Sequence, residues 1–123
     1  MAADTAHPTI AYKILTALQY ADWVDKGIFI GASIDLQDGY IHLSTATQSL
    51  ETYARYFAAQ PDLVVAELDL SRLGEGAELK WEESRGGDLF PHIYGKGIPI
   101  AAVKRHWDRV DRALMEGLAE GTV

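Results

Sequence analysis

The chain has 123 residues, 48% of them hydrophobic and 24% charged, with no cysteine and a formal charge of −7 from 18 acidic against 11 basic residues. That is one ordinary globular domain, without a disulfide framework or a thiolate metal site. The acidic balance disfavours nucleic acid, because a phosphate backbone is drawn to basic surfaces.

No run approaches the roughly 18 apolar residues of a membrane span, and the first residues show neither a basic nor an apolar leader region. A cytoplasmic, non-membrane protein is therefore expected. Residues 1–9 read as a tail, 10–108 as the domain and 109–123 as a C-terminal tail with some helical spacing.

Ile10 to Leu15 alternates as a first strand. Thr16 with Gln19 forms a capping box and Gly27 supplies a stop, so 17–26 is predicted helical. Ile28 to Ile30 is extended, Asp35 to Gly39 a polar turn, and Tyr40 to Leu43 a short strand. Thr45 with Gln48 repeats the capping box, and Leu50, Tyr53, Ala54 and Phe57 follow at helical intervals until Pro61.

Leu63 to Leu70 is the clearest strand, β-branched and bounded by turn residues. A short strand follows at Leu79 to Glu82, then a loop at Arg85 to Asp88. Leu89 to Tyr94 is extended, with Pro91 suggesting a sheet edge or bulge. Ile98 to Val103 is the last core strand. Beyond Lys104, strand alternation (Val103, Arg105, Trp107) and helical spacing (Trp107, Val110, Leu114) both fit. This order argues for an α+β fold.

Two segments carry the chemistry, Gly39-Tyr-Ile-His-Leu-Ser44 and Arg85-Gly-Gly-Asp-Leu-Phe-Pro-His-Ile-Tyr-Gly95. Each sets a histidine in a short apolar strand, where a titratable group needs a partner or a use. His42 faces opposite to Ile41 and Leu43 and points to a cleft or to solvent. It is either an acid–base group or donor to a ligand, or a structural histidine on a backbone carbonyl.

Ser44 and Thr45 cap a helix whose N-terminus can also meet an anion. Of Glu82 and Glu83, at most one can face a site. Arg85 before two glycines could clamp a carboxylate or phosphate. Phe90 and Tyr94 flank His92 and could stack on a planar ring. His42 and His92 lack a third ligand at metal spacing, so no metal is expected.

Tyr12-Lys-Ile-Leu-Thr16, Asp38 to Thr45, Trp81 to Gly87 and Phe90 to Gly95 together resemble the domain of unknown function 952 family over about residues 10–105. The resemblance implies a split β-sheet of the ADP-ribosyltransferase type with a few helices. The order of motifs is also similar, more weakly, to that of RNA 2′-phosphotransferases. It implies a small-molecule cleft of nucleotide or ADP-ribose type, formed by Lys13, His42, Ser44, Thr45, Glu82, Arg85, Phe90, His92 and Tyr94.

In such a cleft a transferase or hydrolase would act at a ribosyl C1. His42, Glu82 and His92 would be its catalytic groups. Lys13 stands where those phosphotransferases hold NAD with a histidine, which argues against the usual NAD pose. A binding module that has lost NAD cleavage is the alternative. A partner-binding protein with structural histidines is the third reading.

Overall fold

A computed structural model describes residues 7–123, apart from the side chain of Arg85. Eight strands and four helices follow one another as β1 (Ile10–Thr16), α1 (Ala17–Lys26), β2 (Ile28–Phe29), α2 (Ser33–Asp38), β3 (Ile41–His42), α3 (Ala46–Tyr56), β4 (Leu63–Asp69), β5 (Ala77–Ser84), β6 (Asp88–Gly95), β7 (Ile98–Pro99), β8 (Val103–Trp107) and α4 (Arg112–Glu120). All strand pairings are antiparallel, in sheets ordered β1-β4-β8, β3-β6-β5 and β2-β7. The architecture is α+β.

The two larger sheets are joined through the backbone. Tyr12 donates to the Ser44 carbonyl at 2.7 Å, and Ser44 donates back to that of Tyr12 at 3.0 Å. This bridge brings the first strand beside the histidine-bearing β3.

The first four residues of β4, Leu63 to Ala66, are apolar without alternation because both faces of the strand are covered. Val64, Ala66 and Leu68 pack with Ala11, Leu15, Trp23, Phe29 and Ile93 in one core. Leu63 and Val65 pack with Tyr12, Ile14 and Tyr53 of α3 and Met115 and Leu118 of α4 in the other. The C-terminal segment is thus a packed helix, with Met115 and Leu118 buried.

Both capping boxes form. The Thr16 hydroxyl accepts from Gln19 N–H at 3.1 Å and the Gln19 side chain accepts from Thr16 N–H at 2.9 Å. Thr45 and Gln48 do the same at 3.2 and 3.0 Å. Gly27 ends α1 at φ +79°, a left-handed conformation that glycine adopts without strain.

Four local expectations are corrected. The polar turn at Asp35–Gly39 is the end of helix α2, stopped by Gly39 at φ +85°. The strand expected at 79–82 runs from Ala77 to Ser84, lengthened by its hairpin with β6. The strand expected at 98–103 breaks into β7, a turn and β8.

Pro91 sits in the central strand, not at an edge. Its carbonyl accepts from Leu43 N–H at 3.0 Å, so its missing N–H faces the carbonyl of Leu43, past the end of two-residue β3. The ladder to β5 loses no donor there.

Candidate functional site

Side chains alternate along paired strands, so register decides which residues meet. His42 lies opposite His92, and His92 opposite Lys80. Glu82 pairs with Phe90, and Glu78 with Tyr94. Lys80, Glu82, Phe90, His92, Tyr94 and His42 therefore share one face. Their neighbours Leu79, Trp81, Ile93, Ile41 and Leu43 pack on the other, in the first core. Of the adjacent glutamates only Glu82 joins the site face.

The two histidine rings stand 5.5 Å apart, nearly perpendicular. Each is held through Nδ1 by a carboxylate: His42 by Asp35 at 2.6 Å, His92 by Glu82 at 2.9 Å. His42 Nε2 lies 2.9 Å from Asp38. Tyr94 donates its hydroxyl to the same Glu82 oxygen at 2.6 Å. Tyr40 lies over both histidines, with ring centroids 4.2 Å from His92 and 4.7 Å from His42.

Beneath the histidines is a buried ion pair. Lys13 donates to both Asp35 oxygens at 3.1 and 3.0 Å and to the His42 carbonyl at 3.0 Å. Asp35 also accepts the backbone N–H groups of Ala32 at 2.8 Å and His42 at 3.0 Å. It is 1% exposed, the one buried residue of α2.

Burial pushes the Asp35 carboxyl up. The His42 hydrogen bond, the Lys13 ammonium and the two backbone donors together outweigh it and hold the group at about 2. Burial draws the Lys13 ammonium below the ordinary lysine range, and Asp35 opposes that. Hydrogen bonds from Tyr94 and His92 hold Glu82 below the usual carboxylate range. The bond to Glu82 pushes the Tyr94 phenol up to about 12.

Acid sensitivity follows from Asp35. Its folded value, about 2, lies below its ordinary 3.8. Its stabilisation is therefore full above pH 4 and is lost as pH falls toward 2, a contribution of about 2 kcal/mol. Urea unfolding of the wild type and Asp35→Asn at pH 7, 4 and 2.5 checks this. The gap between the two proteins should narrow by about 1.5 kcal/mol between pH 7 and pH 2.5, and a gap constant with pH would refute the assignment.

A cavity of about 630 Å³ opens beside this cluster, lined among others by Lys13, Asp38, His42, Ser44, Phe90 and His92. That volume suits a small organic ligand. Among the described residues no group of three or more His, Asp or Glu is placed to hold a metal ion, and no helix is long and apolar enough to cross a membrane.

Residues 14–106 match the model of a family described as "Protein of unknown function (DUF952)". The chain belongs to the DUF952 family. The crystal structure of protein CC0527 from Caulobacter crescentus is similar, at 40% identity and a TM-score of 0.79, over 90% of this chain and 99% of that one. A double mutant of CC0527 gives 39% identity and 0.78 over the same shares. The solution structure of CC0527 gives 42% and 0.69, over 82% of this chain and 84% of that one. No curated protein matches. All the site residues except Lys13 lie within the stretch that matches the DUF952 model.

The structure brings together His42, Glu82, His92 and Tyr94, with Phe90 and Ser44 on the cavity wall. Ser44 shares its hydroxyl with Thr52 at 3.0 Å. Lys13, expected as a donor to a ligand, instead directs its three protons at Asp35 and His42. Thr45 uses its hydroxyl as the cap of α3. The Arg85 side chain lies outside the described structure.

Asp35, Asp38 and Tyr40 were not foreseen. The signal for Asp35 was Lys13 itself, a cation inside an apolar strand that requires a buried counter-charge. His7 stacks on Trp81 and His106 bonds Tyr20, both apart from this cluster.

Proposed function

We propose that this face is a small-molecule cleft of nucleotide or ADP-ribose type, on a split sheet resembling that of ADP-ribosyltransferases. One observation carries the reading: two histidines face each other across paired strands, each oriented by its own carboxylate, beside a cavity of about 630 Å³. The two antiparallel sheets joined at Tyr12 and Ser44 support the split-sheet likeness.

The chemistry this arrangement favours is transfer or hydrolysis at a ribosyl C1. The bond from C1 to the leaving group breaks, and its electron pair departs with that group. Glu82, anionic and one-third exposed, offsets the positive charge that develops on the sugar. Water or an acceptor hydroxyl then bonds C1 and gives its proton to His42 Nε2, once Asp38 has taken the Nε2 proton it accepts in this structure and swung aside. Asp35 fixes the His42 ring by accepting from Nδ1–H, and His92 holds Glu82 in place.

Phe90 and Tyr94 supply aromatic surface for a base. NAD in its usual pose is disfavoured, since Lys13 has no proton left for a ribose hydroxyl.

A second reading, a non-catalytic binding module on the same fold, is favoured by one observation. Asp38 occupies His42 Nε2 and Tyr40 covers both rings.

Two-dimensional NMR titration with NAD, ADP-ribose and nicotinamide separates the readings. Saturable shifts clustered at residues 42–45 and 82–95 are expected, and His42→Ala and Glu82→Gln should each lower any turnover by about a hundredfold. Binding without nicotinamide release selects the module. Flat spectra with all three compounds end the nucleotide reading.

A further inference from the structure

We infer that the cleft selects an uncharged riboside with an apolar aglycone over the same riboside carrying a phosphate. This deepens the ribosyl reading above and rests on it. The cavity follows β1 from Tyr12 to Thr16, a rise of roughly 13 Å. It is polar where His42, His92 and Asp38 converge. The rest of its lining mixes an apolar arm, Ile14, Ile34, Tyr56 and Phe57, with the polar side chains of Thr16, Gln19, Thr52 and Gln60.

Ile34 is 54% exposed and Tyr56 59%, so the lip of this arm leaves apolar side chains in water. A bound apolar group would cover them, at roughly 25 cal/mol for each Å² removed from solvent.

Charge points the same way. Among the described lining residues the charged side chains, histidines aside, are Lys13 and Asp38. Every Lys13 proton is directed at Asp35 or the His42 carbonyl. Asp38, 2.9 Å from His42 Nε2, is the one carboxylate among the described lining residues. A phosphate in this cavity meets like charge, which costs affinity. A neutral sugar meets hydrogen-bonding groups, and its aglycone meets the apolar arm.

The test compares 4-nitrophenyl β-D-ribofuranoside with its 5-phosphate by calorimetry at pH 7. The riboside should bind about tenfold more tightly. Asp38→Asn should narrow that preference. Ile34→Glu, a change at an exposed position, should weaken the riboside by about fivefold while the amide spectrum stays folded.

If the phosphate binds as well as the riboside or better, the inference fails and the ribosyl reading stands. A riboside affinity untouched by Ile34→Glu removes the apolar arm. If neither compound binds, the ribosyl reading falls too.

Discussion

Asp35→Ala should lower the unfolding free energy by about 3–5 kcal/mol, the scale for breaking a buried ion pair from one side. The carboxylate accepts from Lys13, from two backbone N–H groups and from the His42 ring. Its removal leaves a buried ammonium with one remaining carbonyl, together with two half-buried backbone donors. Urea denaturation at pH 7 measures the loss, and a change below about 1 kcal/mol would show that water replaces the carboxylate freely.

A paired variant sharpens the point. Lys13→Met combined with Asp35→Leu removes both charges, and well-packed apolar side chains often replace a buried ion pair at little cost. The double variant should recover at least half of the single loss. In it His42 keeps its place in β3 but loses its Nδ1 partner. Turnover or ligand affinity that depends on ring orientation should stay low while stability returns.

Trp23→Ala should cost about 3–5 kcal/mol, the range for deleting a large buried aromatic. Trp23 is fully buried, packs at 5.0 Å on Phe29 and donates its indole N–H to the Ile98 carbonyl at 3.0 Å. Trp23→Phe keeps most of the volume and isolates the hydrogen bond, at about 1–3 kcal/mol for the unsatisfied carbonyl. Thermal unfolding of the two variants reads both terms; equal losses would mean that packing contributes little.

The consequence reaches the site. Trp23 braces Phe29, and the Phe29 ring lies 5.8 Å from Nζ of Lys13, the residue that holds Asp35.

Elements whose signals are local were legible in the sequence. Thr16 with Gln19 and Thr45 with Gln48 announced α1 and α3, because a capping box is complete within four residues. The run from Leu63 announced β4. Two elements were not legible for physical reasons. Helix α2 has six residues, starts at Ala32 without a side-chain cap, and buries only Asp35. It carries no apolar stripe to betray its period. Pro91 suggested an edge because its tolerance depends on where β3 stops, a fact of tertiary structure.

The site divides the same way. His42, His92, Glu82 and Tyr94 were visible as polar groups set in short strands beside glycine turns. Lys13 was visible too, but its partner lies 22 residues away in sequence. An apolar strand says that such a lysine needs an anion. It does not say which one.

The alternation along β3, β5 and β6 has a further consequence. By numbering, the polar groups Tyr40, His42, Lys80, Glu82, His92 and Tyr94 are even, and the core residues Ile41, Leu43, Leu79, Trp81 and Ile93 are odd. Chemistry and stability are thus written on separate parities of the same strands. Substitutions at the more exposed even positions, Lys80 and Glu82, can retune the cleft without repacking the core. A single inserted residue in β5 or β6 would exchange the two sets, turning the histidine inward and the isoleucine out. This surface tolerates a change of residue type far better than a change of strand length.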